Sequence, residues 1–481
     1  MPAKPHARRW TALAVIALAQ FMVIMDTSII GVALPEIQSD LGFSQDDLSW
    51  VFNAYVVAFG GLLLLGGKLS DLFGAKRLFI AGWAVLAIGS LGAGLADTTG
   101  VEIAARAVQG VGAAFIAPSA LTLLMMLFGN EPKELTKALA LYGAAAPAGG
   151  TAGVFLGGVI TEWISWPWVF YINIPIALLV LAVTPGLMPS AAARRGTVDV
   201  TGAIAATAGL ALTVFGVVRA PEEGWGSSAT LLSIGGGLAL LAAFVAIQAH
   251  RREPLMRLAI FRTPNLAAAN LAQLLLGAAW IPMWYFLNLY LQQVLGFGAF
   301  EGGAALLPMT VTIMVLMVVA APRVLARVGF KPMIVGGLLV LAAGLVGLSL
   351  ARPDGSFAVD VLPASLIAAT GMALAFIPSL GTAISSARPE EGGLASGIVN
   401  TAYQIGSALG LAIMTAVATS QGADQLSDPG ALTDGFSAAF IGAAGIAVAG
   451  ALLAAVTLRK PTAGNTADAE ETTEARELVA A

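Results

Sequence analysis

Two charged side chains, Asp26 and Arg106, lie inside otherwise apolar stretches of the sequence. An unpaired charge inside a membrane costs about 3 kcal/mol or more, so each side chain needs a partner. Asp26 is the best candidate partner for Arg106, and we expect it to be the only carboxylate well inside a membrane span. Because intramembrane acids are functional by default, we predict that this pair binds and releases a proton. A purely structural ion pair, or an arginine that snorkels at a helix end, is the alternative.

Several other kinds of chemistry find no support in the residues. The chain has no cysteine, which excludes disulfides, thiol catalysis and cysteine-bound metals, and its two histidines, His6 and His250, lie in polar flanks. No phosphate-binding glycine loop exists around Lys68, so ATP hydrolysis by this chain is not supported. The net charge of −4 argues against a nucleic-acid partner. We therefore expect no metal and no cofactor, and a proton as the coupling ion.

The composition is that of a membrane protein. Apolar residues make up 58% of the 481 positions and charged residues only 11%, against roughly 25% charged residues in soluble chains. A spanning helix needs about 20 apolar residues. The sequence predicts fourteen such segments, near 10–34, 48–66, 78–96, 102–128, 138–160, 166–187, 199–218, 229–249, 265–289, 304–321, 333–350, 361–384, 394–419 and 436–456.

Basic residues orient these spans. With the N-terminus inside, every Lys and Arg falls in a cytoplasmic segment except Arg106, Arg219 and Arg352. The positive-inside rule then predicts an even number of spans with both termini cytoplasmic. We expect residues 1–9 to be a cytoplasmic N-terminus, and the polar, acidic residues 457–481 to be a disordered cytoplasmic tail.

Two connections between spans resemble each other. Gly67–Arg77 follows the second span and Pro322–Pro332 follows the tenth, and aligned without gaps Gly74 meets Gly329 and Lys76 meets Lys331. This similarity predicts a parallel repeat, as in transporters that rock around a midplane site. The predicted units are an N-terminal six-helix bundle over 10–187, two additional helices over 199–249 and a C-terminal six-helix bundle over 265–456. Chance similarity of two basic loops is the alternative.

The motifs resemble those of the major facilitator superfamily, and within it the drug:proton antiporter family with fourteen spans. The resemblance covers residues 10–456. The loop after the second span matches the signature G-x-L-[AS]-D-x-x-G-x-[KR]-[KR], and Leu72 and Ala75 stand where the family often has basic residues. In the family this loop is a cytoplasmic latch between the two halves. The residues that match this signature are Gly67, Asp71, Gly74, Lys76 and Arg77. We expect them, together with the matching residues of the motifs described next, to control conformation.

Three further motifs extend the resemblance. The stretch from Asp26 to Pro35 is similar to the first-span motif of the family, and Arg106-Ala-Val-Gln109-Gly110-Val-Gly-Ala-Ala is similar to its fourth-span motif. The fifth span matches the antiporter motif G-x-x-x-G-P-x-x-G-G except that Val154 replaces the proline. Small residues at this spacing also serve ordinary close helix packing. Its glycines are Gly149, Gly153, Gly157 and Gly158.

The expected fold is thus an all-α membrane protein of major facilitator type, with two helices between its bundles, functioning as a monomer in a bacterial cytoplasmic membrane. The resemblance implies proton-driven efflux of amphipathic drugs or antibiotics by alternating access. A dedicated exporter of one metabolite or self-made antibiotic is the alternative, and a membrane-bound enzyme or receptor is a more distant one.

A drug pocket should be large and mainly apolar with few polar groups. The candidate substrate contacts on the central helices are Gln20, Phe21, Asn53, Tyr55, Gln273, Trp280, Trp284, Asn288, Asn400, Tyr403 and Gln404, although core or lipid packing explains each aromatic residue equally well.

Overall fold

The structure is a computed structural model that describes residues 5–129, 131–189, 197–387 and 392–459. In this part of the chain, fourteen helices are long and apolar enough to cross a membrane, which confirms the predicted number. Most of the predicted acidic tail lies outside the described residues. The helices are α1 (Arg8–Leu41), α2 (Gln45–Phe73), α3 (Ala75–Gly94), α4 (Thr99–Phe128), α5 (Lys137–Trp163), α6 (Trp168–Leu187), α7 (Val200–Pro221), α8 (Ser228–His250), α9 (Leu266–Val294), α10 (Ala299–Val328), α11 (Phe330–Leu348), α12 (Phe357–Ser386), α13 (Ala395–Ala423) and α14 (Pro429–Thr457).

Several helices extend beyond the apolar segments that predict them. Helix α1 continues to Leu41, and α14 begins at Pro429, one residue after Asp428, whose carboxylate accepts hydrogen bonds from two backbone N–H groups of the first turn. Hydropathy detects only the apolar part of a helix, whereas caps and polar turns determine where it begins and ends.

We call α1–α6 the first bundle, α9–α14 the last bundle, and α7 with α8 the inserted pair. In the first bundle α1 packs on α5 and α3 on α4, and in the last six helices α9 packs on α13 and α11 on α12. The bundles meet along α2 with α13 and along α5 with α10. Helix α7 packs on α8 and contacts both α2 and α13, so the inserted pair lies against one seam between the bundles. Since the number of spans is even, α1 begins and α14 ends on the same side of the membrane. We call this the terminus side and the other the opposite side.

Corresponding glycines make the turn in each of the two similar loops. Gly74, between α2 and α3, has φ 90°, and Gly329, between α10 and α11, has φ 79°. Residues that carry a side chain rarely adopt a positive φ of this size, so both turns require glycine. The lysine two residues later also makes the same contact in both loops. Lys76 Nζ donates to Pro185 O at 2.6 Å and Lys331 Nζ to Leu458 O at 2.7 Å. The two loops therefore share their geometry as well as their sequence.

The glycine stripe of α5 brings that helix against the backbone of α1. Gly149 faces the carbonyl of Phe21, and a Cβ added at Gly153 or Gly157 would lie 2.8 Å from the carbonyl oxygen of Met25 or Ile29. No side chain fits at that separation, so the two backbones are in close contact. These contacts lie on either side of Asp26 and fix the height and rotation of α1 at that residue.

Candidate proton-coupling site and the closure between the bundles

Asp26 and Arg106 form a buried ion pair inside the first bundle. Arg106 Nη1 lies 2.7 Å from Asp26 Oδ2, and the two side chains are 0% and 1% exposed. Arg106 also donates through Nε to Val51 O at 2.8 Å. Its guanidinium carbon is 4.7 Å from the ring centre of Tyr55, which adds a cation–π contact. The pairing that the sequence predicts is therefore present in the structure.

Neutral polar side chains complete the shell of Asp26. Asn173 Nδ2 donates to Asp26 Oδ1 at 2.7 Å, and Gln109 Nε2 donates to the same oxygen at 3.2 Å. Both amides also donate to Ser90 Oγ, at 3.1 and 2.8 Å. Arg106, Gln109 and Asn173 therefore all donate to this one buried carboxylate.

The first bundle also buries a second carboxylate, Glu102, in the first turn of α4. Glu102 lies one turn before Arg106 on α4 and is 0% exposed. Neither of its carboxyl oxygens accepts a hydrogen bond from a described protein group. Glu102 is the first residue of the predicted fourth span, and α4 begins three residues earlier, at Thr99. The site thus contains two acids and one arginine.

Three glutamines close the opposite side between the bundles. Gln38 Nε2 donates to Gln45 Oε1 at 2.9 Å, Gln45 Nε2 to Gln293 Oε1 at 3.4 Å, and Gln293 Nε2 back to Gln38 Oε1 at 2.9 Å. Gln38 and Gln45 belong to the first bundle and Gln293 to the last. We call this closed set the glutamine ring. Below it, Gln292 Nε2 donates to Val32 O at 2.9 Å.

A second contact closes the opposite side at the seam between α5 and α10. Trp163 stacks on Phe300 with ring centres 5.0 Å apart, and a Cβ at Gly158 would meet the backbone of Ala299 and Phe300 at 2.9 Å. Among the described residues, all hydrogen bonds that join the two bundles lie on the opposite side. The structure is therefore closed on that side.

The signature loop lies on the terminus side, and its members have different surroundings. Gly74 makes the turn and Lys76 reaches α6, as described above, whereas Gly67 has room, since a Cβ there would lie 4.0 Å from Pro118. The close approach belongs to the neighbouring Gly66, which faces the carbonyl of Ala114.

One charged residue of this loop, Lys68, lies close to the inserted pair. Asp71 is exposed, and neither Asp71 nor Arg77 has a hydrogen bond or ion pair to another described residue. Lys68 Nζ instead lies 3.8 Å from Glu253, in the connection after α8. Glu253 also accepts hydrogen bonds from the backbone and side chain of Thr197, just before α7. The signature loop is thus linked to both ends of the inserted pair.

Most of the sequence matches the model of a known protein family. The family model described as Major Facilitator Superfamily matches residues 16–411. This chain belongs to the major facilitator superfamily. It is therefore a transporter and not an enzyme.

Two curated relatives and one solved structure agree with this membership. This major facilitator is 39% identical to the cephamycin export protein CmcT of Amycolatopsis lactamdurans, over 93% of this chain and 92% of that protein. It is 36% identical to the puromycin resistance protein pur8 of Streptomyces alboniger, over 94% and 91%. A crystal structure of the peptide transporter POT in complex with sulfate shares the fold, with a TM-score of 0.67, 14% identity and coverage of 92% and 93%.

The predicted substrate contacts of this transporter fall into separate groups. Tyr55 belongs to the charge site, where it covers Arg106. Gln20 accepts a hydrogen bond from Tyr142 at 2.8 Å. Trp284 packs against Gly31 of α1, at the meeting of the two bundles. Gln404 packs against Gly60 of α2, also across the bundles.

The remaining candidates are dispersed. Trp280 and Asn288 lie buried on α9 with Trp284, and Asn288 donates to the backbone of its own helix. Tyr403, on the same helix as Gln404, packs edge-on against Phe376, and Asn400 is exposed and bonds to its own helix. The others are Phe21, whose backbone carries the Gly149 contact, Gln273, which donates to Phe376 O, and Asn53, which is fully buried on α2. The roles of these residues in binding stay predictions.

Sequence reasoning missed four residues of the site. Ser90 and Asn173 are neutral and carry no signal in a hydropathy profile, although Asn173 lies in the stretch 168–175 that resembles the family. Glu102 was visible as a carboxylate but its burial was not. Gln293 follows the ninth apolar segment and reads as a loop residue. Only the packing of the helices against one another brings these four residues to the site.

Proposed function

We propose that this transporter uses the proton gradient to expel amphipathic drugs or antibiotics from the cell. The buried Asp26–Arg106 pair supports the proposal most directly. It places one acid, held by three donors and shielded from solvent, in the core of a bundle that must move. Protonating Asp26 removes the charge that Arg106 and the amides stabilise, so proton uptake changes the balance between conformations.

The closed opposite side suggests how the cycle runs. In this conformation the glutamine ring and the Trp163–Phe300 stack hold the bundles together on that side, and Asp26 is in contact with Arg106. In our proposal Asp26 receives a proton from the opposite side when that side opens, and releases it toward the terminus side as substrate binds or the bundles rock. Each turn of the cycle moves protons inward and substrate outward.

The orientation and organisation form part of the same proposal. The distribution of Lys and Arg supports a cytoplasmic terminus side. The shared geometry of the Gly74 and Gly329 loops supports the division into bundles over 10–187 and 265–456, with the pair over 199–249 between them. The charge site lies wholly within the first bundle, which supports function as a monomer.

The relatives favour a second candidate function. The names of both curated relatives refer to a single antibiotic, cephamycin for one and puromycin for the other. A transporter dedicated to one compound would use the same coupling machinery and differ in its pocket. The candidate contacts named above would then recognise one scaffold rather than many.

Uptake into inside-out membrane vesicles tests both candidates. A panel of fluorescent amphipathic dyes, a cephamycin and puromycin is offered to vesicles energised by a proton gradient, with and without an uncoupler. Broad uncoupler-sensitive uptake supports drug efflux, and uptake of one compound supports a dedicated exporter. Uptake that persists unchanged with the uncoupler, or that Asp26→Asn leaves unaltered, contradicts proton coupling through Asp26.

A further inference from the structure

Glu102 is a buried acid that the coupling scheme above does not use. It lies on α4, four residues before Arg106, which places both side chains on the same face of the helix about 6 Å apart along its axis. Its side chain is 0% exposed, and neither oxygen accepts a hydrogen bond from a described group. Asp26 has the reverse environment, because it accepts hydrogen bonds from Arg106, Gln109 and Asn173.

The contrast between the two acids indicates how they share one positive charge. A buried carboxylate without donors or an ion pair is strongly disfavoured, whereas a protonated carboxyl is tolerated. Arg106 directs Nη1 to Asp26 and Nε to Val51, while its Nη2 has no hydrogen-bond partner among the described residues. One guanidinium therefore neutralises Asp26 in this conformation and has a donor left for a second acid.

We propose that Glu102 is a second proton-binding residue, which holds a proton in this conformation and passes it to Asp26 through a change of partner at Arg106. The inference rests on the proposed proton antiport and deepens it. The proton leaves the Glu102 carboxyl and binds the Asp26 carboxylate, while Arg106 transfers its ion pair from Asp26 to Glu102. The site contains one carboxyl, one carboxylate and one guanidinium before and after the step, so its net charge is unchanged.

The position of Glu102 matches a relay from the opposite side. Helix α4 begins on that side at Thr99, so Glu102 lies between the surface and Arg106. Thr99 and Ile103, which flank Glu102 in the sequence, line a shallow cleft on the opposite side. Glu102 regains its proton from that side. The titratable and charged side chains around the pair of acids are Arg106 and, from α2, Tyr55; Asp47 and Arg219 line the cleft outside.

Infrared difference spectroscopy on the purified full-length protein tests the protonation without any substrate. A protonated carboxyl in an apolar site has a C=O stretching band separate from that of a carboxylate. We expect this band at neutral pH in the native protein and its loss in Glu102→Gln. Asp26→Asn mimics the protonated acid, so it should weaken the band, because Arg106 can then pair with an ionised Glu102. The matched control is Asp97→Asn, an exposed carboxylate just before α4, which should leave the band in place. A band that survives Glu102→Gln overturns the proposal.

Transport measurements test the relay itself. With the panel compound that gives the strongest uncoupler-sensitive signal, we expect Glu102→Gln to slow proton-driven efflux by roughly 100-fold, the usual effect of losing a proton donor. Energy-independent exchange of the compound across the membrane should stay close to the native rate. Glu102→Asp keeps a carboxyl group and should restore much of the proton-driven rate and its pH dependence.

The outcomes separate the relay from the antiport on which it rests. If Glu102→Gln matches Asp97→Asn in rate and pH profile while Asp26→Asn is inactive, the relay is wrong and the antiport stands. If Asp26→Asn is also unaffected, proton coupling through this site fails altogether. If Glu102→Gln does not fold, the infrared band of the native protein and the pH profile of Glu102→Asp still decide the matter.

Discussion

Lys76 and Lys331 make the same contact in the two bundles. Each donates through Nζ to a backbone carbonyl at the end of the last helix of its bundle, Lys76 to Pro185 at 2.6 Å and Lys331 to Leu458 at 2.7 Å. Each lysine also follows a glycine of positive φ by two residues. A cation at a helix C-terminus satisfies carbonyls that have no partner within the helix and interacts favourably with the helix dipole.

Replacing either lysine should therefore weaken the fold by a similar amount. We expect Lys76→Met and Lys331→Met each to lower the free energy of unfolding by about 1 kcal/mol, the net contribution of one such hydrogen bond. Thermal unfolding in detergent measures the change. Arg77→Gln is the matched control, since Arg77 is exposed and has no hydrogen bond to a described residue. A melting temperature that falls no further in Lys76→Met than in Arg77→Gln would contradict the equivalence.

The ion pair between Asp26 and Arg106 makes a double-mutant test possible. Asp26→Asn removes the counter-ion that Arg106 has in this conformation, and Arg106→Gln leaves Asp26 with amide donors only. Breaking a buried pair from one side costs about 3 kcal/mol or more, whereas neutralising both partners is far less harmful. We expect both single variants to be destabilised and the double variant Asp26→Asn/Arg106→Gln to recover stability.

Recovery of stability should not bring recovery of transport. In inside-out vesicles, we expect the double variant to remain without proton-driven uptake, because no acid titrates at the position of Asp26. The comparison separates a coupling role from a structural one. Restored uptake in the double variant would show that the pair only holds the helices together.

The parts of this site that could be predicted are those that produce a recognisable pattern in the sequence. Asp26 and Arg106 were predicted to pair because charges in apolar stretches are rare and must be compensated. Asn173 was not predicted as a donor, since a neutral amide in a membrane helix is compatible with many roles. The burial of Glu102 was not predicted, because it depends on how the helices pack together. The position of Gln293 beside Gln45 is a contact between residues more than 200 positions apart in the sequence. A single sequence does not reveal such a contact.

Asp199 caps the inserted helix pair and should confer a pH-dependent stability. Its carboxylate accepts hydrogen bonds from Gly202 N–H at 2.9 Å and from Gln248 at 2.7 Å, and it lies 3.4 Å from Arg251. Burial raises the pKa of the Asp199 carboxyl, but these hydrogen bonds, one from Thr201 and the charge of Arg251 together lower it below its usual value of 3.8. The charged form is thus favoured by folding.

The sign of the pH effect follows from this lowered pKa. A carboxyl whose pKa is lower in the folded state stabilises the fold fully above its unfolded pKa, and that stabilisation is lost as the pH falls through the folded value. We expect Asp199→Ala to reduce stability by about 1 kcal/mol at pH 7 through loss of the cap. Melting temperatures of native and variant protein should converge as the pH is lowered below about 4. Asp97→Asn, an exposed carboxylate, serves as control, and a difference that is constant with pH would exclude the charge of Asp199 as its cause.

The glutamine ring should control access from the opposite side. Gln293→Ala removes the one member that the last bundle contributes, and with it two hydrogen bonds between the bundles. Because the chain has no cysteine of its own, a single reporter at Val32→Cys, buried below the ring, can be labelled with a membrane-impermeant maleimide. We expect Gln293→Ala to raise the labelling rate from the opposite side by roughly tenfold, which corresponds to a shift of about 1.4 kcal/mol toward the open form. Gln425→Ala, an exposed glutamine on the same side, should leave the rate unchanged. Equal labelling rates in the two variants would mean that the Trp163–Phe300 seam keeps this side closed without the ring.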